Sequence, residues 1–394
     1  MNTSIDWIYD LEDEYKNQTS NVVINISDWN NEDDCIEIPK ELIIKASNIN
    51  PFDYSKYYFI GLLEETYHKL NHFIYQQYNI RINTDNILLV NNSTYALFLT
   101  CKALKELKLK RILLITPCYF SIEHNLNELN FTIIYYHLTS TNNFSFCFED
   151  IEKIIDEQFI DAVFITNPIF NTGIAISNSI FEKLFNLFIK KDMWIVVDNT
   201  LDQLNWNNKN SLFNEFLLSK FKLFDKLIYI DSSTKKLFIN GLKHAVIISK
   251  LSSLTSIKYN SDCNIGSLTV NQVNLMNEIY NLDNIDLIEE SVNKNINLFQ
   301  NNYQLSKNLL QNSNYYLTNS ACGFHSCIML KNRNFDQIDI NLFLKKLIYE
   351  HGILLIPLNH FLFHKNNDFG FRINLSKHPY KITKSLKALI NIDF

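Results

Sequence analysis

Ser232-Ser233-Thr234-Lys235-Lys236 follows the apolar run Lys226 to Ile230 and leads into Gly241-Leu242-Lys243. The run reads as a short buried strand, so the two lysines stand just past a strand's carboxyl end. A lysine amine in such a place can condense with a carbonyl group and later carry a proton. The fold that could use it is set by what flanks it.

Upstream, short apolar runs alternate with segments of helical period. Strands are expected at Arg111–Thr116, Phe131–His137, Asp161–Thr166 and Trp194–Val197, and after the lysines at Ala245–Ser249. Helices are expected at Gly61–Tyr78, Asn92–Leu107, Ser121–Leu129, Phe148–Glu157 and Asn178–Lys190. This alternation predicts an α/β fold with a mostly parallel sheet covered on both faces, which binds ligands at the carboxyl ends of its strands. Residues 280–312 read as one or two long helices. Beyond them the strands His325–Leu330, Ile353–Pro357 and Phe371–Asn374, with helices Asp339–Glu350 and Pro379–Ile390, predict a smaller α+β domain. The division expected is an acidic arm with one strand, Val22 to Ser27, over 1–45, a large domain over 46–285 and a small domain over 286–394.

Several motifs sit at strand ends. Asn92-Ser93-Thr94 opens a helix, where small polar residues cap the first turn and leave N–H groups for a phosphate. Tyr119, after Pro117-Cys118, could stack on a planar ring. Asn167-Pro168-Ile169-Phe170-Asn171-Thr172-Gly173 follows one strand and Asp198 another. A carboxylate facing a cleft there can pair with a protonated pyridine nitrogen. Arg372 offers a planar fork matched to a carboxylate. Taken singly, each reads as a cap, a loop residue or a surface charge.

The 394 residues carry a net charge of −6 and no Lys/Arg-rich run, which argues against nucleic acid and anionic membranes as partners. No apolar run approaches the roughly 18 residues a membrane span needs. The acidic N-terminus lacks the features of a signal peptide, and seven scattered cysteines fit a reducing cytoplasm. Cys322 to Cys327 and the His360/His364 pair lack metal-site spacing, so no metal is expected. Only seven glycines occur, so each is the more apt to hold a position that needs one.

In order and spacing together, these motifs resemble the class I/II aminotransferase superfamily over almost the whole chain. The resemblance implies the aspartate-aminotransferase fold (fold type I), with a seven-stranded large-domain sheet, and pyridoxal 5′-phosphate held as a Schiff base on Lys235. It implies that Asn92, Ser93, Thr94, Ser232 and Lys243 surround the phosphate, with Lys243 eight residues past Lys235. Tyr119 would stack on the pyridine ring, Asp198 would pair with its nitrogen, and Arg372 would bind the carboxylate of an amino-acid substrate. It also implies a homodimer, with Tyr57 or Tyr58 reaching the neighbouring subunit.

The chain departs from that pattern. The family's loop asparagine aligns with Phe170, leaving Asn171 one step late. The tyrosine three past the Asp is Leu201, the phosphate arginine is Lys243, and a glycine of the N-terminal substrate loop is Trp29. Three readings are open: a drifted aminotransferase, a non-catalytic relative, or a relative of the pyridoxal-phosphate-dependent arginine oxidases and hydroxylases. The last resembles the chain in Leu201, Lys243, a strand ending at Asp28, and Glu14 upstream. It implies that Asp28 and Glu14 grip a guanidinium and that oxygen oxidises L-arginine or a guanidino relative. That subgroup's acid three before the lysine is here Ser232, with Asp231 one position off.

Overall fold

The computed structural model describes residues 6–30, 34–202, 204–206, 212–221, 223–250, 254–331, 339–363 and 368–392. His364 therefore lies outside the described residues.

Thirteen strands form three sheets among these residues. They are β1 (Ile24–Asn25), β2 (Ile87–Val90), β3 (Arg111–Thr116), β4 (Thr132–His137), β5 (Ala162–Thr166), β6 (Trp194–Asp198), β7 (Leu227–Asp231), β8 (Ala245–Ser249), β9 (Tyr315–Leu317), β10 (His325–Leu330), β11 (Ile353–Leu354), β12 (Ile356–Pro357) and β13 (Gly370–Asn374). The large sheet runs β2-β8-β7-β6-β5-β3-β4. Only β8 is antiparallel to its neighbours there; the other pairings are parallel. The expected seven-stranded, mostly parallel sheet is what forms.

Its central strands β5 and β7 are buried along their whole length because helices cover both faces. Helix Asn178–Lys190 turns Phe181, Leu184, Phe185 and Phe188 inward, one stripe at helical spacing. Edge strand β4 is less covered: only Tyr136 is buried, Ile133 and Ile134 are half-buried, and Thr132, Tyr135 and His137 are exposed.

The small sheet, β12-β13-β10-β9, is antiparallel throughout. The 26-residue helix Ile285–Leu310 packs against helix Pro379–Asn391 and β9. The strand expected at Ile353–Pro357 is two. Ile353–Leu354 pairs with β1 of the N-terminal segment, and Ile356–Pro357 pairs with β13 at the sheet edge, where Pro357 needs no N–H.

The N-terminal segment is more ordered than a polar arm. Helix Asp6–Thr19 buries Ile8, Leu11 and Tyr15, a sparse stripe hidden in an acidic sequence. The strand expected over Val22–Ser27 shortens to Ile24–Asn25. Helix Lys40–Ser47 docks on helix Val270–Ile279, and neither was legible as a helix. Among the described residues no helix is long and apolar enough to cross a membrane.

Candidate active site

The carboxyl ends of β5, β6 and β7 open into one pocket, lined among others by Ser93, Tyr119, Asn171, Asp198, Leu201 and Lys235. Five residues chosen from sequence, Ser93, Tyr119, Asn171, Asp198 and Lys235, thus converge from five parts of the chain. Parallel strands in register place Thr166 beside Asp198, so the turns that follow them meet.

Asp198 is the last residue of β6 rather than the first after it. It is buried, and the Thr200 N–H and hydroxyl donate to its Oδ1 at 3.3 and 3.0 Å. Burial pushes its carboxyl above the ordinary range, while Lys235 and the two Thr200 bonds pull it back.

Lys235 lies in the short helix Ser233–Lys236. Burial lowers its amine below the ordinary lysine value; Asp198 opposes this and Lys243 adds to it. Its Nζ is 5.5 Å from the Trp29 ring centre and 5.8 Å from that of Tyr119.

Lys236, its neighbour, is wholly buried and paired with Asp231, and also donates to the Leu212 carbonyl at 2.6 Å. Asp231 accepts from Tyr229 as well. The two lysines therefore divide: one amine enters the pocket, the other ties the turn down from below.

The Asn167–Gly173 loop explains the late asparagine. Asn167 Nδ2 donates to Asn199 Oδ1 and Asp202 Oδ1, both at 2.8 Å, and its Oδ1 accepts from Ile176 N. Asn171 then takes a left-handed φ of 62°. Its amide lines the pocket, buried, with neither Oδ1 nor Nδ2 hydrogen-bonded within the chain. Phe170 turns to the ring cluster of Trp29, Tyr119 and Phe361. Gly173, at φ +68°, has no room for a side chain: a Cβ would lie 2.6 Å from Ser320 Cβ and 2.8 Å from the His325 carbonyl.

Arg372 is fully buried on β13. Its Nε donates to the Ser27 carbonyl at 2.6 Å. The guanidinium rests 4.9 Å from the Trp29 ring centre and 4.6 Å from that of Phe361. Both terminal nitrogens are buried without a hydrogen bond. Burial lowers its pKa to about 10, so it stays charged at neutral pH. A planar ligand with two oxygens would satisfy that fork.

Other sequence-selected residues have different surroundings. Asn92 caps helix Ser93–Glu106, accepting from Tyr95 N at 2.8 Å; Ser93 is buried at the helix start and Thr94 is exposed. The Ser232 hydroxyl donates to the His244 carbonyl. Lys243 is exposed, near enough to act on Lys235. Asp28 pairs with Lys377 at 2.7 Å and accepts from Asn30. Glu14 is exposed, its Oε1 accepting from Gln18, and it is not brought to the pocket. Asp231 turns to Lys236, away from the pocket.

Sequence reasoning missed Thr166, Thr200, Phe361 and His325. The first two could have been found as strand-end residues flanking Asn167 and Asp198; the others carry no local signal.

The family profile described as aminotransferase class I and II matches residues 25–389. The structure is similar to the aspartate aminotransferase of Thermus thermophilus (a double mutant), with a TM-score of 0.85 at 13% identity, covering 99% of this chain and 97% of that one. It is similar to the aspartate aminotransferase of Thermotoga maritima, with a TM-score of 0.80 at 16% identity over 99% and 96%. YbdL of Escherichia coli, described with a methionine aminotransferase function, matches with a TM-score of 0.79 at 13% identity over 98% and 96%. No curated protein matches the sequence.

Proposed function

The chain belongs to the class I and II aminotransferase family, and from that premise we propose that it moves the amino group of an L-amino acid to a 2-keto acid. The fold is aspartate-aminotransferase-like, the protein is a pyridoxal-phosphate-dependent enzyme, and its cofactor is pyridoxal 5′-phosphate. One observation carries the reading: an amine held below its usual pKa and a guanidinium with an open fork flank the same Trp29 ring.

The residues present fit the cofactor. Asn171 offers a buried, unpartnered amide, Asp198 a buried carboxylate, and helix Ser93–Glu106 its N-terminus. Asp198 would hold the ring nitrogen, Tyr119 the ring face, Asn171 the ring oxygen, and Asn92, Ser93, Thr94, Ser232 and Lys243 the phosphate end. When bound, the cofactor supplies an electron sink joined to the substrate's α-carbon.

Arg372 orients the substrate carboxylate, its plane fixed by Ser27, Trp29 and Phe361. Lys235, lowered by burial, takes the proton from the α-carbon and later returns one. Phe170 and Leu201 give this pocket an apolar wall.

A homodimer is part of this proposal. Phe52, Tyr54, Tyr57 and Leu62 are exposed, an apolar stretch that a second copy would cover. The Tyr58 hydroxyl bonds within its own chain to the Asp53 carbonyl, which leaves Tyr57 to reach across. A cytoplasmic location remains the expectation from the cysteines.

Oxygen-dependent oxidation of L-arginine or a guanidino relative is a second reading. Leu201 at the pocket wall favours it, because the tyrosine hydroxyl expected beside the ring oxygen is missing. The partners of Asp28 and the exposure of Glu14 weigh towards amino transfer.

The deciding experiment adds L-amino acids to the yellow holoenzyme with and without oxygen. Discharge of the visible absorbance without oxygen, restored by a 2-keto acid, supports amino transfer. Oxygen uptake with L-arginine supports the second reading. Failure of the wild type to take up cofactor overturns both.

A further inference from the structure

Lys235 and Arg372 handle the groups every amino acid shares; neither selects a side chain. We propose that His325, with Trp29, selects a neutral L-amino acid whose planar side chain carries a hydrogen-bonding group. This rests on the amino-transfer reading of the same site.

His325 opens β10. Cys327 is registered against Arg372 on β13 and His325 against Asn374. Two residues along a strand return to the same face, so His325 and Arg372 project from one side of the sheet. The Trp29 ring stands edge-on to His325 at 4.5 Å while also covering Arg372 and Lys235. One ring therefore touches His325 and both reactive groups.

The side chain is 3% exposed, and neither ring nitrogen makes a well-formed hydrogen bond. The main chain of Asp28 is the polar group that faces it. Buried polar atoms without partners are rare in folded chains and call for an explanation. A ligand group is the explanation this proposal takes, because the ring that covers His325 also covers Arg372 and Lys235.

Charge narrows the ligand. Burial first, then Arg372, Lys235 and Lys377 hold the imidazole neutral. A cationic side chain would enter among three cations, and the nearby Asp28 is claimed by Lys377 and Asn30. A side-chain carboxylate finds the same pair closed, with Arg372 engaged by the α-carboxylate. A neutral group can take the one donor and one acceptor that neutral imidazole offers. The walls are rings: Phe170 lies 6.2 Å from Trp29, and Phe361 lies 5.6 Å from Phe170. Such walls suit a flat side chain.

Four carboxylates without an amino group, which cannot react, test this on the holoenzyme: 3-(4-hydroxyphenyl)propanoate, 3-phenylpropanoate, succinate and 4-guanidinobutanoate. Binding is read by intrinsic tryptophan fluorescence and by the cofactor's absorbance. The hydroxyphenyl compound should bind tightest, by about tenfold over succinate and the guanidino compound. His325→Phe should erase its advantage over phenylpropanoate while phenylpropanoate binding and cofactor absorbance persist, which separates lost recognition from lost folding. Tightest binding by succinate or the guanidino compound, an unchanged ratio in His325→Phe, or no binding by any of the four overturns the proposal. The amino-transfer reading fails separately, when no L-amino acid discharges the cofactor absorbance.

Discussion

Lys235 does two jobs through one amine, and its surroundings explain how. Burial favours the neutral form and Asp198 keeps it from going too far. Lys235→Ala should abolish the visible absorbance and lower turnover by about 10²–10⁴-fold, the usual worth of a positioned proton carrier. Arg372 works by shape as much as charge. Arg372→Lys keeps the charge but loses the fork, so KM should rise by roughly tenfold with kcat changed less. A larger fall in kcat than rise in KM would show that Arg372 acts mainly in the transition state.

The Asn167–Gly173 loop and the β7 turn build the site from two directions. Gly173→Ala sets a Cβ against Ser320 and the His325 carbonyl, at a φ that suits glycine. Overpacking of this kind should cost about 1–3 kcal/mol, seen as a lower denaturant midpoint at unchanged slope. Lys236→Met leaves Asp231 buried without its cation, and should destabilise by about 3–5 kcal/mol. The double variant Asp231→Asn/Lys236→Met should recover part of that loss. Strict additivity would mean that the two do not act as a pair.

The N-terminal segment binds the small sheet to the pocket. β1 pairs with β11, the Ser27 carbonyl holds Arg372, and Asp28 holds Lys377. The molecule's response to pH follows from what it buries. Cofactor-free Lys235 has a folded pKa below the unfolded value of about 10.4, so the unfolded chain binds more protons and stability rises with pH. Lys235→Met should therefore be more stable than wild type at neutral pH, and the gap should close as pH climbs towards that unfolded value. Urea unfolding at several pH values checks the sign. For the dimer, Leu62→Asp should shift the mass in solution from two chains to one; a wild type already monomeric at micromolar concentration would sink that part of the proposal.

What could be read from the chain alone was local. Strand and helix periods placed the central sheet, because apolar spacing repeats over a few residues. Lys235 and Asp198 stood out by following strands directly, and Arg372 by its planar fork and the family resemblance. The resemblance to the family, with a basic residue eight past its lysine, chose Lys235 over Lys236, from which the same count lands on His244. Other features needed the fold. Asn171 reaches the pocket only because Asn167 anchors the loop and φ turns left-handed one step late. Trp29 covers Arg372, and Lys377 closes Asp28, through contacts between opposite ends of the chain. His325 carried no signal at all until its ring nitrogens could be counted as buried and unpartnered. Periodicity reports which face of an element is apolar; whether a polar atom has a partner depends on every element packed around it.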